Sequence, residues 1–254
     1  MSAFTIAVAG KGGTGKTTLT GLVIRYLLEK RKGPVLAVDA DANSNLNEVL
    51  GVECGATIGH IREEALGTAG GRPHGMSLDE YLDMRIEQVM VEAKGFDLLV
   101  MGRPEGPGCY CAANNVIRKY TDHLIEDYPY IVTDNEAGLE HLSRRTTQDT
   151  DLLLVISDPS ARGIMTAGRV NAIVDELGLE VRKRVLIVNR VSGDSLPTEL
   201  EEVVKKQGLE LAGTVPSDEK VTEYDMAAKP LVTLPADSKA VSALYSILDK
   251  LQLP

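Results

Sequence analysis

Gly10-Lys11-Gly12-Gly13-Thr14-Gly15-Lys16-Thr17-Thr18 carries the spacing G-x-x-x-x-G-K-[ST], a set of residue types suited to holding phosphate. Glycines let successive backbone N–H groups turn inward around phosphate oxygens, and a helix starting there adds the positive end of its dipole. Lys16 then reaches the β- and γ-phosphates and the Thr17 hydroxyl ligates Mg2+, with Gly10, Gly12, Gly13, Thr14, Gly15 and Thr18 completing the cradle. Chemistry at phosphate also needs carboxylates, and two segments supply them: Asp39-Ala40-Asp41 and Thr133-Asp134. Asp134 suits a carboxylate that holds a Mg2+-bound water, whereas Asp39 could equally cap a helix. Asn189 has both a donor and an acceptor, which can pair with the amino group and ring nitrogen of adenine or can simply hold a turn. Asn189-Arg190-Val191-Ser192 is a poor match to the guanine motif N-K-x-D, so the nucleotide expected is ATP.

A second chemistry is written in Gly106-Pro107-Gly108-Cys109-Tyr110-Cys111-Ala112-Ala113-Asn114-Asn115. In an extended segment alternate side chains share a face, so the sulfurs of Cys109 and Cys111 reach one metal ion. Thiolates favour soft or borderline ions such as Ni2+, Zn2+ or Cu+, or iron in a cluster. Two thiolates leave a four-coordinate ion half-ligated; waters could complete the set, and so could a twofold-related copy of the same loop. Cys54 has no partner in sequence and reads as structural. His60, His74, His123 and His141 show no ligand spacing.

The elements that must position these residues follow from hydrophobic patterning. Apolar runs at 4–9, 35–38, 98–101, 130–132, 152–156, 185–188 and around 211–215 read as parallel strands buried on both faces. Leu19, Leu22, Val23, Tyr26 and Leu27, and likewise Ile164, Ala167, Val170, Ile173 and Leu177, recur at helical spacing as crossover helices. A helical pattern is also expected over 115–125 and over 237–251, the latter packing on the core, while the glycine-rich stretch 51–75 reads as irregular surface structure. The fold expected is α/β, with a single doubly wound, mostly parallel sheet flanked by helices and one domain spanning 1–254. Ligand sites in such sheets lie at the carboxyl ends of strands, where the phosphate loop, both aspartate segments and Asn189 all fall.

The chain has 254 residues, 27 Lys plus Arg against 37 Asp plus Glu, and a net charge of −10, which argues against binding a polyphosphate backbone as its main task. No apolar run is long enough to span a membrane, and residues 1–10 lack the pattern of a signal peptide. A cytoplasmic protein without nucleic-acid or membrane partners is expected.

Lys11, directly after the first glycine, makes the loop K-G-G-T-G-K-T-T, which resembles the deviant phosphate loop of the MinD-type ATPases. That family includes ParA, the nitrogenase iron protein and the CooC nickel-insertion proteins. The resemblance implies that Lys11 crosses a dimer interface to the partner's nucleotide and acts with Lys16 in catalysis within an ATP-dependent sandwich dimer. It further implies that Asp39 assists the metal, Asp41 orients the attacking water, Asn189 reads the adenine edge and Val215-Pro216 finishes the base pocket. Asp134-Asn135-Glu136-Ala137-Gly138-Leu139-Glu140-His141-Leu142 resembles the family's switch II, and its pairing with C-x-C is closest to the CooC proteins. Their role implies an Mg2+-dependent ATPase that carries Ni2+, or Zn2+ in the same site, at a homodimer axis for carbon monoxide dehydrogenase or acetyl-CoA synthase. Two rival readings are a MinD- or ParA-like positioning ATPase, which would want a basic tail or face, and an electron donor with a dimer-bridging iron–sulfur cluster. Related reductases of the second kind draw their cysteines from two separated segments rather than one C-x-C.

Overall fold

Residues 3–31, 33–41, 43–66, 73–102, 127–135, 150–193 and 195–254 are described by a computed structural model. Within them the seven apolar runs form strands β1 (Phe4–Gly10), β2 (Val35–Ala40), β4 (Phe96–Val100), β5 (Tyr130–Asn135), β6 (Thr150–Ser157), β7 (Val181–Val191) and β8 (Glu210–Pro216), joined by a short β3 (Val91–Glu92). Among the described residues these make one eight-stranded sheet in the order β3-β4-β2-β5-β1-β6-β7-β8. Every pairing is parallel except β3 with β4.

The strands read as continuous apolar runs because both faces are covered. Ile6, Val8, Ala37, Val132, Leu154 and Ile187 face helices α1 (Lys16–Lys30) and α8 (Lys239–Leu251), whose Leu22, Leu27, Leu244 and Leu248 are buried with them. The alternate residues turn to the other layer. Leu36, Val38, Leu99 and Ile131 meet Ile58 and Ile61 of α3 (Ile58–Leu66) and Ile86 of α4 (Leu78–Val89). Ala7, Leu153, Val155 and Leu186 meet Ile164, Ala167 and Val170 of α5 (Ala161–Glu176) and Val204 of α6 (Thr198–Lys206). Two short helices, α2 (Leu46–Leu50) and α7 (Glu219–Met226), lie beside the strand ends.

Two features depart from expectation. The stretch 51–75 is not wholly irregular, since α3 runs through it: Ile58 and Ile61, one turn apart, bury completely and outweigh the glycines around them. Strand β3 was not foreseen, because two residues at a sheet edge carry no period. The Cys109–Cys111 loop, the helical pattern at 115–125 and the switch II residues from Glu136 onward lie outside the described residues.

Candidate nucleotide site

Parallel register brings the candidate residues to one rim of the sheet. Asp39 near the end of β2 sits directly opposite Asp134 of β5, and Asp134 is also opposite Val8, two residues before Gly10 closes β1. Gly10 has φ +150, and a Cβ there would drive into the Ile156 carbonyl oxygen of the neighbouring β6, so the strand can run into the loop at this point only without a side chain.

The loop is held from its outer side. The Thr14 hydroxyl donates to the Lys11 carbonyl at 2.8 Å, Asn189 Nδ2 donates to the Thr14 carbonyl at 2.8 Å, and Arg190 Nη1 donates to the Gly13 carbonyl at 2.9 Å. Helix α1 begins at Gly15 in the left-handed region with no side-chain cap. The helices α4, α5, α7 and α8 are all capped by a Ser or Asp side chain. The first N–H groups of α1 are therefore left for an anion. Lys16 is buried at the start of this helix, and Lys11 is exposed on the loop.

Asp39 and Asp134 are fully buried. Asp39 accepts the N–H groups of Asp41 and Leu46 at 3.0 Å each, so it caps α2 from a distance as well as facing the phosphate loop. Asp134 accepts the Thr20 hydroxyl at 3.1 Å, and that hydroxyl also reaches the Lys16 carbonyl at 2.9 Å. Asp41 Oδ1 is held by the backbone N–H and the side-chain amide of Asn43 in a tight local turn. Burial pushes Asp39 up to about 7, with the charges of Asp134 and Asp41 adding to it against the two backbone N–H donors. Burial likewise pushes Asp134 up to about 6, opposed by Thr17, Lys16 and Thr20. A hydroxyl and two buried carboxyls, whose ionisation a bound cation would favour, make an all-oxygen donor set of the kind Mg2+ takes, so the residues present fit that ion.

A pH dependence follows. The folded state binds protons at Asp39 and Asp134 more tightly than the unfolded chain, so their contribution is most favourable below about pH 4 and is lost as pH rises through about 6 to 7. The expected result is a melting midpoint of ligand-free protein that falls across this window, and Mg2+–nucleotide binding that releases protons there. Calorimetric titration in buffers of different ionisation enthalpy checks it; equal heats in all buffers would count against the pair.

Beside the loop, a cavity of about 270 Å³ is lined by Thr18, Asn189, Pro216, Asp218 and Val221, among others. Its size and its place at the ends of β7 and β8 suit a base. Asn189 lines it while being tied to the loop, its Oδ1 accepting the Arg190 N–H at 2.9 Å. Asp218 accepts from Lys220 N, Ser238 Oγ and Ala240 N, which holds its carboxyl below the usual range and locks the starts of α7 and α8 together at the pocket wall. Asp218 was missed in the sequence, although an Asp two residues after Pro216 and just before a helix is a cap signal. A second cavity of about 910 Å³, lined by Thr17, Glu48, Glu53, Cys54 and Asp225, opens on the α2 side of the loop. Cys54 is half-buried, its thiol donating to the Ala56 carbonyl at 3.6 Å. Among the described residues no group of three or more His, Cys, Asp and Glu side chains is arranged to hold a metal ion.

Residues 5–231 match the family described as CobQ/CobB/MinD/ParA nucleotide binding domain. An uncharacterised ATP-binding protein of Methanocaldococcus jannaschii is 44% identical over 252 residues, covering 97% of each chain. The carbon monoxide dehydrogenase accessory protein CooC of Rhodospirillum rubrum is 28% identical over 256 residues, covering 96% of this chain and 95% of CooC. The septum site-determining protein MinD of Pyrococcus horikoshii, solved with Mg-ADP, has the same fold with a TM-score of 0.73 at 22% identity, covering 99% of this chain and 96% of that one.

Proposed function

Because the chain belongs to the CobQ/CobB/MinD/ParA nucleotide-binding family and is one of its ATPases, we propose that it is an ATP-hydrolysing metallochaperone. In this reading it carries nickel between two copies of itself and assists its insertion into carbon monoxide dehydrogenase or acetyl-CoA synthase. The observation that carries the reading is the Cys109-Tyr110-Cys111 pair, a half-complete thiolate set on a chain that aligns from end to end with CooC.

The nucleotide half of the cycle uses the rim described above. Loop N–H groups and Lys16 hold the phosphates, while Thr17, with Asp39 and Asp134 acting through water, holds Mg2+. Bound Mg2+ draws charge from the phosphate oxygens and so lowers the barrier to hydrolysis. Asp41, fixed by Asn43, orients the attacking water, and Lys11 reaches the nucleotide of the partner copy. Asn189 and Pro216 frame the base. ATP between two loops and Ni2+ between two cysteine pairs each favour the dimer, so each ligand strengthens binding of the other, and hydrolysis releases the metal cargo by loosening the pair.

The test combines metal analysis with sedimentation. Wild-type protein is expected to bind about one Ni2+ per two protomers, the ratio that four thiolates from two copies require. The double variant Cys109→Ser, Cys111→Ser is expected to lose that Ni2+ while its ATP affinity, compared without Ni2+, stays unchanged. Nickel bound with the same stoichiometry by the double variant would sink the metal assignment.

A further inference from the structure

The pairing of β7 with β8 shifts register between Asn189 and Val191, leaving Arg190 as a bulged residue with φ +59, a conformation that side chains rarely adopt. A bulge re-aims its side chain, and here the Arg190 guanidinium crosses to the phosphate loop. Nη1 donates to the Gly13 carbonyl at 2.9 Å, and Nη2 lies 3.9 Å from where a Cβ on Gly15 would stand. The preceding residue takes the next carbonyl, since Asn189 Nδ2 donates to that of Thr14. A trans peptide points its C=O and the following N–H in opposite directions. Drawing the Gly13 and Thr14 carbonyls outward therefore turns the Thr14 and Gly15 N–H groups to the inner side, where phosphate oxygens sit.

We infer that Arg190 is a positioning residue for ATP hydrolysis, a clamp on the bulged end of β7 that fixes the inward orientation of the phosphate-loop N–H groups. Arg190 also lines the cavity that suits the base, but its guanidinium acts on the phosphate subsite through the loop backbone. The clamp needs only ATP binding, so it stands or falls independently of any metal cargo.

Arg190→Gly is the informative variant, because glycine accepts the positive φ and the fold keeps its thermal midpoint. Losing a charge-assisted hydrogen bond that orders the loop equally in ground and transition states is expected to raise KM for ATP about tenfold with kcat changed less than about twofold. Mg2+–tripolyphosphate, which has no base, serves as a competitive inhibitor; its inhibition constant is expected to weaken by the same factor. The ratio between variant and wild type is expected to persist at about 0.5 M KCl, where a long-range charge effect would be screened but a hydrogen bond to a carbonyl would not. Unchanged KM, an unchanged tripolyphosphate constant, or a ratio that collapses in salt would each overturn the clamp.

Discussion

Asparagine in place of Asp134 is expected to cut Mg2+-dependent ATP hydrolysis on the order of 10–100-fold, the usual cost of removing a group that holds a metal through water, while the ligand-free protein melts no lower than wild type. The two halves of this expectation have one cause. Asp134 is buried directly across from Asp39, and each carboxylate is pushed up by burial with Asp41 adding like charge. An amide still accepts the Thr20 hydroxyl but carries no charge, so Asp39 ionises more readily and the repulsion between the two buried groups is gone. For hydrolysis the lost charge counts because the water-mediated hold on Mg2+ goes with it. Phosphate release measured across Mg2+ concentrations, beside a melting curve without ligand, reads both. A variant that hydrolyses ATP normally would remove Asp134 from the metal site, and one that melts well below wild type would show the carboxylate to be a structural asset.

Gly10→Ala is expected to be the most damaging small change in the loop. The added Cβ meets the Ile156 carbonyl oxygen, and neither backbone can retreat because Gly10 and Ile156 are registered partners inside the central strands. Overpacking of this kind costs about 3 kcal/mol. In a chain of this length that lowers the melting midpoint by roughly 6–12 °C. Whatever relief the strand finds also displaces the loop, so nucleotide affinity falls with stability. Gly13→Ala is the comparison: φ there is +79 with nothing within 4 Å of the new Cβ, so only backbone strain is added, about 1 kcal/mol. Equal losses in the two variants, by melting and by fluorescent-nucleotide titration, would contradict the account of Gly10.

Much of this is legible in the chain itself. Buried parallel strands announce themselves as short apolar runs, and each of the seven runs is a strand of the sheet; β3 is not legible because two residues at an edge have no pattern to read. Helix α3 is not legible because the glycines around it point to a loop, while the burial of Ile58 and Ile61, which decides the matter, is a tertiary fact. The loop residues Gly10 to Thr18 form a contiguous motif and so were plain. That Asp39 and Asp134 stand side by side is a fact of register between distant segments, and spacing along one segment cannot show it. Arg190 and Asp218 act through backbone geometry, one through a bulge and one through two helix starts, and neither leaves more than a faint trace in residue type.

The strand order also sets a schedule for the chain as it is made. Strand β1, which launches the phosphate loop, lies between β5 and β6, so Phe4 must wait for Tyr130 and Ile6 for Leu152 before either side of it is paired. Non-local pairing of this kind is slow, since the intervening chain must first be closed into a loop. The complete motif, Gly10 to Thr18, is made well before Asp134, Ile156, Asn189 and Arg190. A nascent chain halted before β5 therefore carries the full signature of a nucleotide site without Asp134, the β6 strand beside Gly10 or the Asn189–Arg190 contacts to the loop, and retention on an ATP matrix would report how far synthesis and folding have gone.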